Sequence, residues 1–389
     1  MKSILFVIPT LRLGGAEKAL VSLLKCLNKD LFNVDLFLFE GGGVLQKEIP
    51  EWVNIIEADE VTRAMTLEAR FYLKKLFKDG YIKAALSRLW MSVANKFGFN
   101  LFSWKNVSKY IPSVGKEYDV AIGFLEGAAD FFVLDKVQSK SKIGWIHTDM
   151  SKRDFMIQEI EYYNRFDHII TISEKCKNAV IDAMPGIENK ISVIENIVIP
   201  EEIVSKSNEE TEIKWNDCFN ILTVGRLEYD KGIDIGAMAA KELKNKNIKF
   251  EWHILGYGSQ EEKIRKVISD NGIQDVYKLD GMASNPYPYM KKADIIVQPS
   301  RNEGKSIVLD EAKILGKAIV VTNYSSVKDQ IIDGVTGIIV DTDPKKIADG
   351  VVMLFRDTAL RQSLENNCRL EKANRYMIIN KLNDIIGVS

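Results

Sequence analysis

At 389 residues the chain exceeds what one ordinary core supports, so two domains are expected. Its 46% hydrophobic and 28% charged content is that of a soluble globular protein, and a formal net charge of -1 excludes any global attraction to nucleic acid. Four scattered cysteines, Cys26, Cys176, Cys218 and Cys368, lack the spacing of a zinc site or disulfide framework and suit a reducing cytosol.

The chain opens MKSILFVIPTLRLGGAEK, an apolar run that Arg12 and Gly14-Gly15 break too early for a leader, with no small-residue cleavage site behind it. It reads as a buried first strand, 3–9. No stretch holds eighteen consecutive apolar residues, so no helical membrane span is expected. Gly14-Gly15 leads into an amphipathic helix (16–28), where bare backbone and a helix N-terminus allow a ligand close approach. Further strands are predicted at 34–40, 118–124, 142–147, 168–173 and 191–196, alternating with amphipathic stretches. That rhythm is a parallel sheet covered by helices. His147 closes the run KIGWIH at a strand end, and Asp149 suits the N-cap of a helix starting just after it. His168 and His253 open or sit within strands and read as structural.

Residues 62–109 stand apart. Arg63, Arg70, Lys74, Lys75, Lys78, Lys83, Arg88, Lys96, Lys105 and Lys109 face only Glu68 and Asp79. Leu67, Phe71, Tyr72, Leu76, Phe77, Tyr81, Leu86, Leu89, Trp90, Met91 and Phe97 are interleaved. Basic helices with a broad aromatic face suit an anionic membrane surface. Equally, the aromatics can pack on the first domain and leave the cations solvated. Nucleic acid is not an expected partner, because no binding module accompanies the charge.

The polar, poorly periodic stretch 201–217 reads as a linker between a first domain, 1–200, and a second, 218–365. A second strand set is predicted at 219–226, 249–256, 275–281, 294–300, 318–323 and 335–341. In the turn TVGRLEYDKGID (223–234), Gly225 permits a close turn, Arg226 offers a fork of donors and Lys231 a mobile ammonium. Strand C-termini of open α/β sheets face the ligand crevice, and such a pair suits phosphate. The competing assignment pairs Arg226 with Glu228 and leaves Lys231 in solvent. Gly256-Tyr257-Gly258 lacks the third glycine of a dinucleotide fingerprint, with Glu261 in its place. Asp341-Thr342-Asp343 resembles a metal-binding D-x-D, but Pro344 makes Asp343 an N-cap. No metal or other cofactor is expected.

The stretch PSRNEGKSIVLDEA (299–312) is the most informative. Glu303 lies at the end of a buried strand, and Glu311 about two turns into the next helix. At roughly 1.5 Å per residue the carboxylates stand ~12 Å apart, the reach from the sugar of a nucleotide sugar to its ribose. Gly304, Lys305 and Ser306 lie between them, where free helix N–H groups seat phosphate. This segment resembles the E-x7-E signature of the retaining GT-B glycosyltransferases of family 4, of the bacterial envelope and capsule type.

The resemblance implies an α/β fold of GT-B type, two Rossmann-like domains facing each other across a cleft. It implies that a last helix, within 366–389, crosses back to the first domain. It assigns Arg226 and Lys231 to the diphosphate, Glu311 to the ribose hydroxyls and Glu303 to the transferred sugar. Lys305 and Ser306 would offer N–H groups to phosphate or sugar oxygens. Gly14, Gly15, Gly225, Gly256 and Gly304 would line the donor. The pattern Trp145-x-His147-Thr148-Asp149 matches the family's histidine beside the transferred sugar, and the loop 281–290 its base contacts. The implied activity is retaining, metal-independent transfer of a hexosyl-type sugar from a nucleotide-diphosphate sugar. Its acceptor would be a saccharide or lipid-linked glycan of the cell envelope, with the protein cytoplasmic or on the inner face of the plasma membrane. A GT-B epimerase or a catalytically silent nucleotide-sugar-binding subunit are the alternatives; a phosphorylase would need a pyridoxal-phosphate lysine site, which is not evident.

Overall fold

The computed structural model describes residues 1–67, 69–78, 80–94, 100–151, 157–212, 215–370 and 375–387. The chain divides into two compact units, Met1–Ile197 with Arg375–Ser389, and Val198–Asn374.

In the first unit the strands are β1 (Lys2–Ile8), β2 (Phe32–Leu38), β3 (Asn54–Glu57), β4 (Glu117–Gly123), β5 (Gln138–Ile146), β6 (His168–Thr171) and β7 (Ile191–Val193). They form one seven-stranded parallel sheet of order β3-β2-β1-β4-β5-β6-β7. Ile4 to Ile8 are buried without a break, as expected of a strand covered on both faces. The chain winds outward from β1 to β3 and then returns to β4, so the order reverses between β1 and β4. Strand β3 is absent from the sequence expectation: NIIE offers two apolar residues, both half-buried, between a polar and an acidic one.

The second unit holds β8 (Phe219–Val224), β9 (Phe250–Leu255), β10 (Tyr277–Gly281), β11 (Ile295–Gln298), β12 (Ala318–Thr322) and β13 (Ile338–Val340). Its six-stranded sheet has the order β10-β9-β8-β11-β12-β13, again parallel, reversing between β8 and β11. Two doubly wound sheets therefore each offer one crevice at strand C-termini.

Two boundaries differ from expectation. The start of the 201–217 stretch is helical, Pro200–Lys206, with Ile203 buried and Pro200 in the first turn. This helix packs against helices Tyr287–Lys292 and Ile307–Ile314 of the second unit, and Asn285 donates to the Lys206 carbonyl at 2.9 Å. Its charges lie on the outer side of a helix that buries one apolar residue, a pattern too short to show as periodicity. The last helix, expected within 366–389, is Arg375–Ile385. Thr358–Leu370 stays with the second unit, while Arg375–Ile385 belongs to the first and packs on Gly15–Cys26. There the Lys2 ammonium donates to the carbonyls of Ile386 and Gly387.

The basic insertion is divided in role. Leu76, Ala84, Ala85, Leu101 and Trp104 join the first unit's core with Phe37, Phe39 and Phe132. Arg88 is buried and donates to the carbonyls of Ala64 and Leu67, and Arg63 binds the Ala58 carbonyl and Glu57. Those two arginines hold helices in place and are not part of a solvated cationic face. By contrast Phe77, Tyr81, Ile82, Leu86, Leu89 and Trp90 are exposed, as are Lys74, Lys78 and Lys83. Glu68, Asp79, Lys96 and Phe97 lie outside the described residues, as do the side chains of Arg70, Phe71, Tyr72, Lys75 and Met91.

Candidate active site

At the β8/β11 reversal two strand-end turns touch through a glycine. Gly232 has φ +61, and a Cβ there would stand 1.9 Å from the Pro299 carbonyl oxygen. The turn carrying Lys231 can lie against the turn carrying Glu303 only because residue 232 has no side chain. Arg301 ties the same turns: its N–H donates to the Asp230 carbonyl at 2.7 Å, and its guanidinium grips both oxygens of Asp234 at 2.8 and 2.7 Å. Burial works against the Asp234 charge, but the Arg301 fork outweighs it and holds the carboxyl below the usual range.

The consequence is an ion pair at the strand ends. The Lys231 ammonium donates to Glu303 Oε1 at 2.7 Å and Oε2 at 2.6 Å, and the carboxylate is buried. Gln298 Nε2 and the Ser300 hydroxyl also donate to Glu303 Oε1, at 2.9 and 2.8 Å. From β12's exit, Ser326 donates to the Glu303 carbonyl at 2.7 Å. Nearby, the Tyr324 hydroxyl is buried with no hydrogen-bond partner among the described residues, and burial pushes its pKa well up. It stays a neutral phenol.

Arg226 differs from Lys231. It is exposed, and among the described residues no hydrogen bond or ion pair holds its side chain. Glu228 instead accepts from Ser259, N–H at 3.0 Å and hydroxyl at 2.6 Å. The competing Arg226–Glu228 pair is replaced by a cap on the neighbouring turn, and Arg226 only contributes its field to Glu228. A Cβ on Gly225 would meet only the Lys231 stem, at 4.0 Å, while its N–H donates to the Leu255 carbonyl at 3.0 Å. Gly256 has a tight neighbour: a Cβ would lie 1.8 Å from the Gly225 carbonyl oxygen, so this glycine seats the β9 turn against the β8 turn.

Along the helix Ile307–Ile314, Glu311 is buried and accepts from the Tyr287 hydroxyl at 2.9 Å. Tyr287 opens the helix Tyr287–Lys292, which takes up the end of the stretch 281–290 expected as a loop, so this helix start and the second glutamate are neighbours. Gly304 and Lys305 are half-buried beside Glu303. The Ser306 N–H, expected to face a phosphate, is already donated to Gln330 Oε1 at 2.7 Å. A buried glutamine has taken the place of an anion there, a contact between residues 24 positions apart that no local pattern signals.

The remaining sequence-predicted residues lie in the first unit. Gly14 precedes the helix Gly15–Cys26 after β1, and a Cβ on it would meet the Glu17 carboxylate at 2.1 Å. His147 follows β5; its N–H donates to Glu126 Oε2 at 2.9 Å, and its ring packs on Phe124 and Trp145. Neither ring nitrogen has a hydrogen-bond partner among the described residues, and burial pushes the imidazole down to about 3. It is neutral at ordinary pH. Asp149 accepts the Ser151 N–H at 2.8 Å, while 152–156, the expected start of its helix, lie outside the described residues. In the second unit, Asp343 caps the helix Pro344–Arg356 through the N–H groups of Lys345 and Lys346. His253 is buried on β9 against Asp280 at 2.9 Å.

In fold the chain matches solved glycosyltransferase structures. The Anabaena Alr3699/HepE structure, a complex with UDP and glucose, matches with TM-score 0.70 at 16% identity over 100% of both chains. The fold is GT-B. Residues 206–371 match the family model of the glycosyl transferases group 1, which therefore covers the Lys231–Glu303 turns and Glu311. Among curated relatives, the Staphylococcus aureus capsular polysaccharide biosynthesis glycosyltransferase CapM is 28% identical over 57% of this chain and 60% of its own length. The Erwinia amylovora amylovoran biosynthesis glycosyltransferase AmsK is 28% identical over 52% of each. The chain thus spans only part of the length of these relatives.

Proposed function

We propose that the protein is a retaining, metal-independent glycosyltransferase. It moves a hexosyl-type sugar from a nucleotide-diphosphate sugar to a saccharide or lipid-linked acceptor in envelope polysaccharide synthesis. The Lys231–Glu303 pair at the β8/β11 reversal, with exposed Arg226 on the same β8 turn as Lys231, carries this reading. The group 1 match over this unit supports it, as does a neighbour of the same fold that binds UDP and glucose.

Departure of a nucleoside diphosphate builds negative charge on its leaving oxygen. Arg226 and Lys231 stabilise that charge, which is why no metal is invoked. Glu303 orients the sugar through its hydroxyls, and Glu311 with Tyr287 binds the ribose and base end. With no side-chain nucleophile assigned, the acceptor attacks from the face the diphosphate leaves, its proton passing to the departing phosphate oxygen. The test is release of nucleoside diphosphate from UDP-, GDP- and ADP-sugars with an acceptor present. Release with sugar transfer supports the reading; a silent binder releases none, and an epimerase changes the sugar without releasing it.

The exposed apolar side chains Tyr81, Ile82, Leu86, Leu89 and Trp90, with Lys74, Lys78 and Lys83 near them in sequence, support a second element: contact with an anionic membrane surface that carries the acceptor. Flotation with anionic but not neutral liposomes is expected. No salt-sensitive binding would remove this element and leave the catalytic reading standing.

A further inference from the structure

Resting on the function proposed above, we propose that Gln298 is the positioning residue of Glu303, turning Oε1 into the protein and leaving Oε2 for the sugar hydroxyl. Gln298 is the last residue of β11, buried where the strand's other side chains are apolar. The Ser306 hydroxyl has one proton and donates it to Gln298 Oε1 at 2.8 Å. The Glu303 carboxylate only accepts, which fixes the amide: Nε2 points to Glu303 Oε1 at 2.9 Å and to Ser300 Oγ at 3.3 Å, leaving Oε1 to the Ser306 proton.

Ser306 is itself held. Gln330 Oε1 accepts its N–H at 2.7 Å, and Gln330 Nε2 donates to its carbonyl at 2.8 Å and to Asp310 Oδ1 at 3.1 Å. Two glutamines and a serine thus relay the position of β12's exit and the helix start onto one carboxylate oxygen. The two oxygens of Glu303 end unequal. Oε1 accepts from Lys231, Gln298 and Ser300, whereas Oε2 accepts from Lys231 alone among the described residues. A carboxylate oxygen offers about two lone-pair sites, so Oε1 is filled and Oε2 keeps room for one more donor. Without the Gln298 amide only Lys231 and Ser300 resist rotation of the carboxylate about its terminal torsion, whose wells are broad. Misplacing a reacting group by about 1 Å costs on the order of 10²-fold in rate.

Gln298→Met in the full chain keeps the volume and removes the amide. The expected result is a fall in kcat of about 10- to 100-fold, with the Kd for nucleoside diphosphate held within about twofold. Its crystal structure should show the Glu303 carboxylate rotated while Lys231 stays in place. Unchanged kcat in the folded variant overturns the proposal. Equal losses in nucleotide affinity and kcat also overturn it, because they report a merely structural residue. Should that variant not fold, Gln330→Met, which leaves β11 untouched, carries the same test with a smaller fall in kcat. If wild-type protein turns over no donor, the functional reading fails by itself. The Gln298→Met structure then decides the relay, an unmoved Glu303 overturning it and a rotated one supporting it.

Discussion

The strand ends of the two sheets are built to different rules. At the β8/β11 reversal a lysine, a glutamate and two glutamines are fastened by short hydrogen bonds, with one arginine left loose. At the ends of β1, β4 and β5, glycine backbone and an uncharged imidazole stacked on aromatic rings take that place. A fixed ionic lattice suits a charged donor whose charge grows during reaction. The first unit instead buries one neutral polar group among apolar rings. The same doubly wound sheet serves both, because sites are added at strand ends without changing the core.

The comparison breaks most visibly if Lys231 is dispensable. Lys231→Ala should lower turnover by about 10²- to 10³-fold with the circular dichroism spectrum retained. Glu303→Ala should also abolish most transfer. Near-normal turnover in either variant contradicts a part for the pair in donor cleavage.

Next in size is Gly232→Val. The substitution forces a β-branched residue to φ +61 with its Cβ against the Pro299 carbonyl. A loss of about 2–4 kcal/mol in urea denaturation is expected. A neutral result would mean that the two turns need not touch.

In the first unit, His147 is pushed down to about 3 by burial, below the ordinary imidazole value. The unfolded chain therefore takes up a proton first, and the stability that neutral His147 provides is lost as pH falls below about 6.5. Between pH 7 and 5 this site should cost about 2 kcal/mol, and His147→Asn should flatten that acid limb. A variant with the wild-type pH slope would show that His147 is not held neutral.

Smallest is Tyr287→Phe, which removes one hydrogen bond to Glu311. It should raise KM for the donor by a few-fold, corresponding to about 1 kcal/mol, with kcat little changed.

The pair Glu303 and Glu311, the Arg226–Lys231 turn and most strands of both sheets are legible in the sequence because each rests on local spacing. Strand β3 is not, since two half-buried residues between two exposed ones give no periodicity. Helix Pro200–Lys206 hides inside a charged stretch for the same reason of length. Gln298 and Gln330 are invisible as site residues: a glutamine in a strand or turn has no local signature, and their partners come from elements folded onto them. Ser306 shows the opposite failure, where a helix-start N–H promises an anion and meets a side-chain amide instead. The stretch 281–290 reads only as a loop, whereas Tyr287 opens the helix Tyr287–Lys292 and becomes informative through the bond from its hydroxyl to Glu311.

The most direct measurement is calorimetric titration of UDP, GDP and ADP into wild-type protein and into Arg226→Ala and Lys231→Ala. One of the three nucleotides should bind the wild type, and each substitution should weaken that affinity by about tenfold or more, as expected for a lost charge-assisted phosphate contact. Undiminished affinity in both variants would show that the β8/β11 turns do not hold the diphosphate.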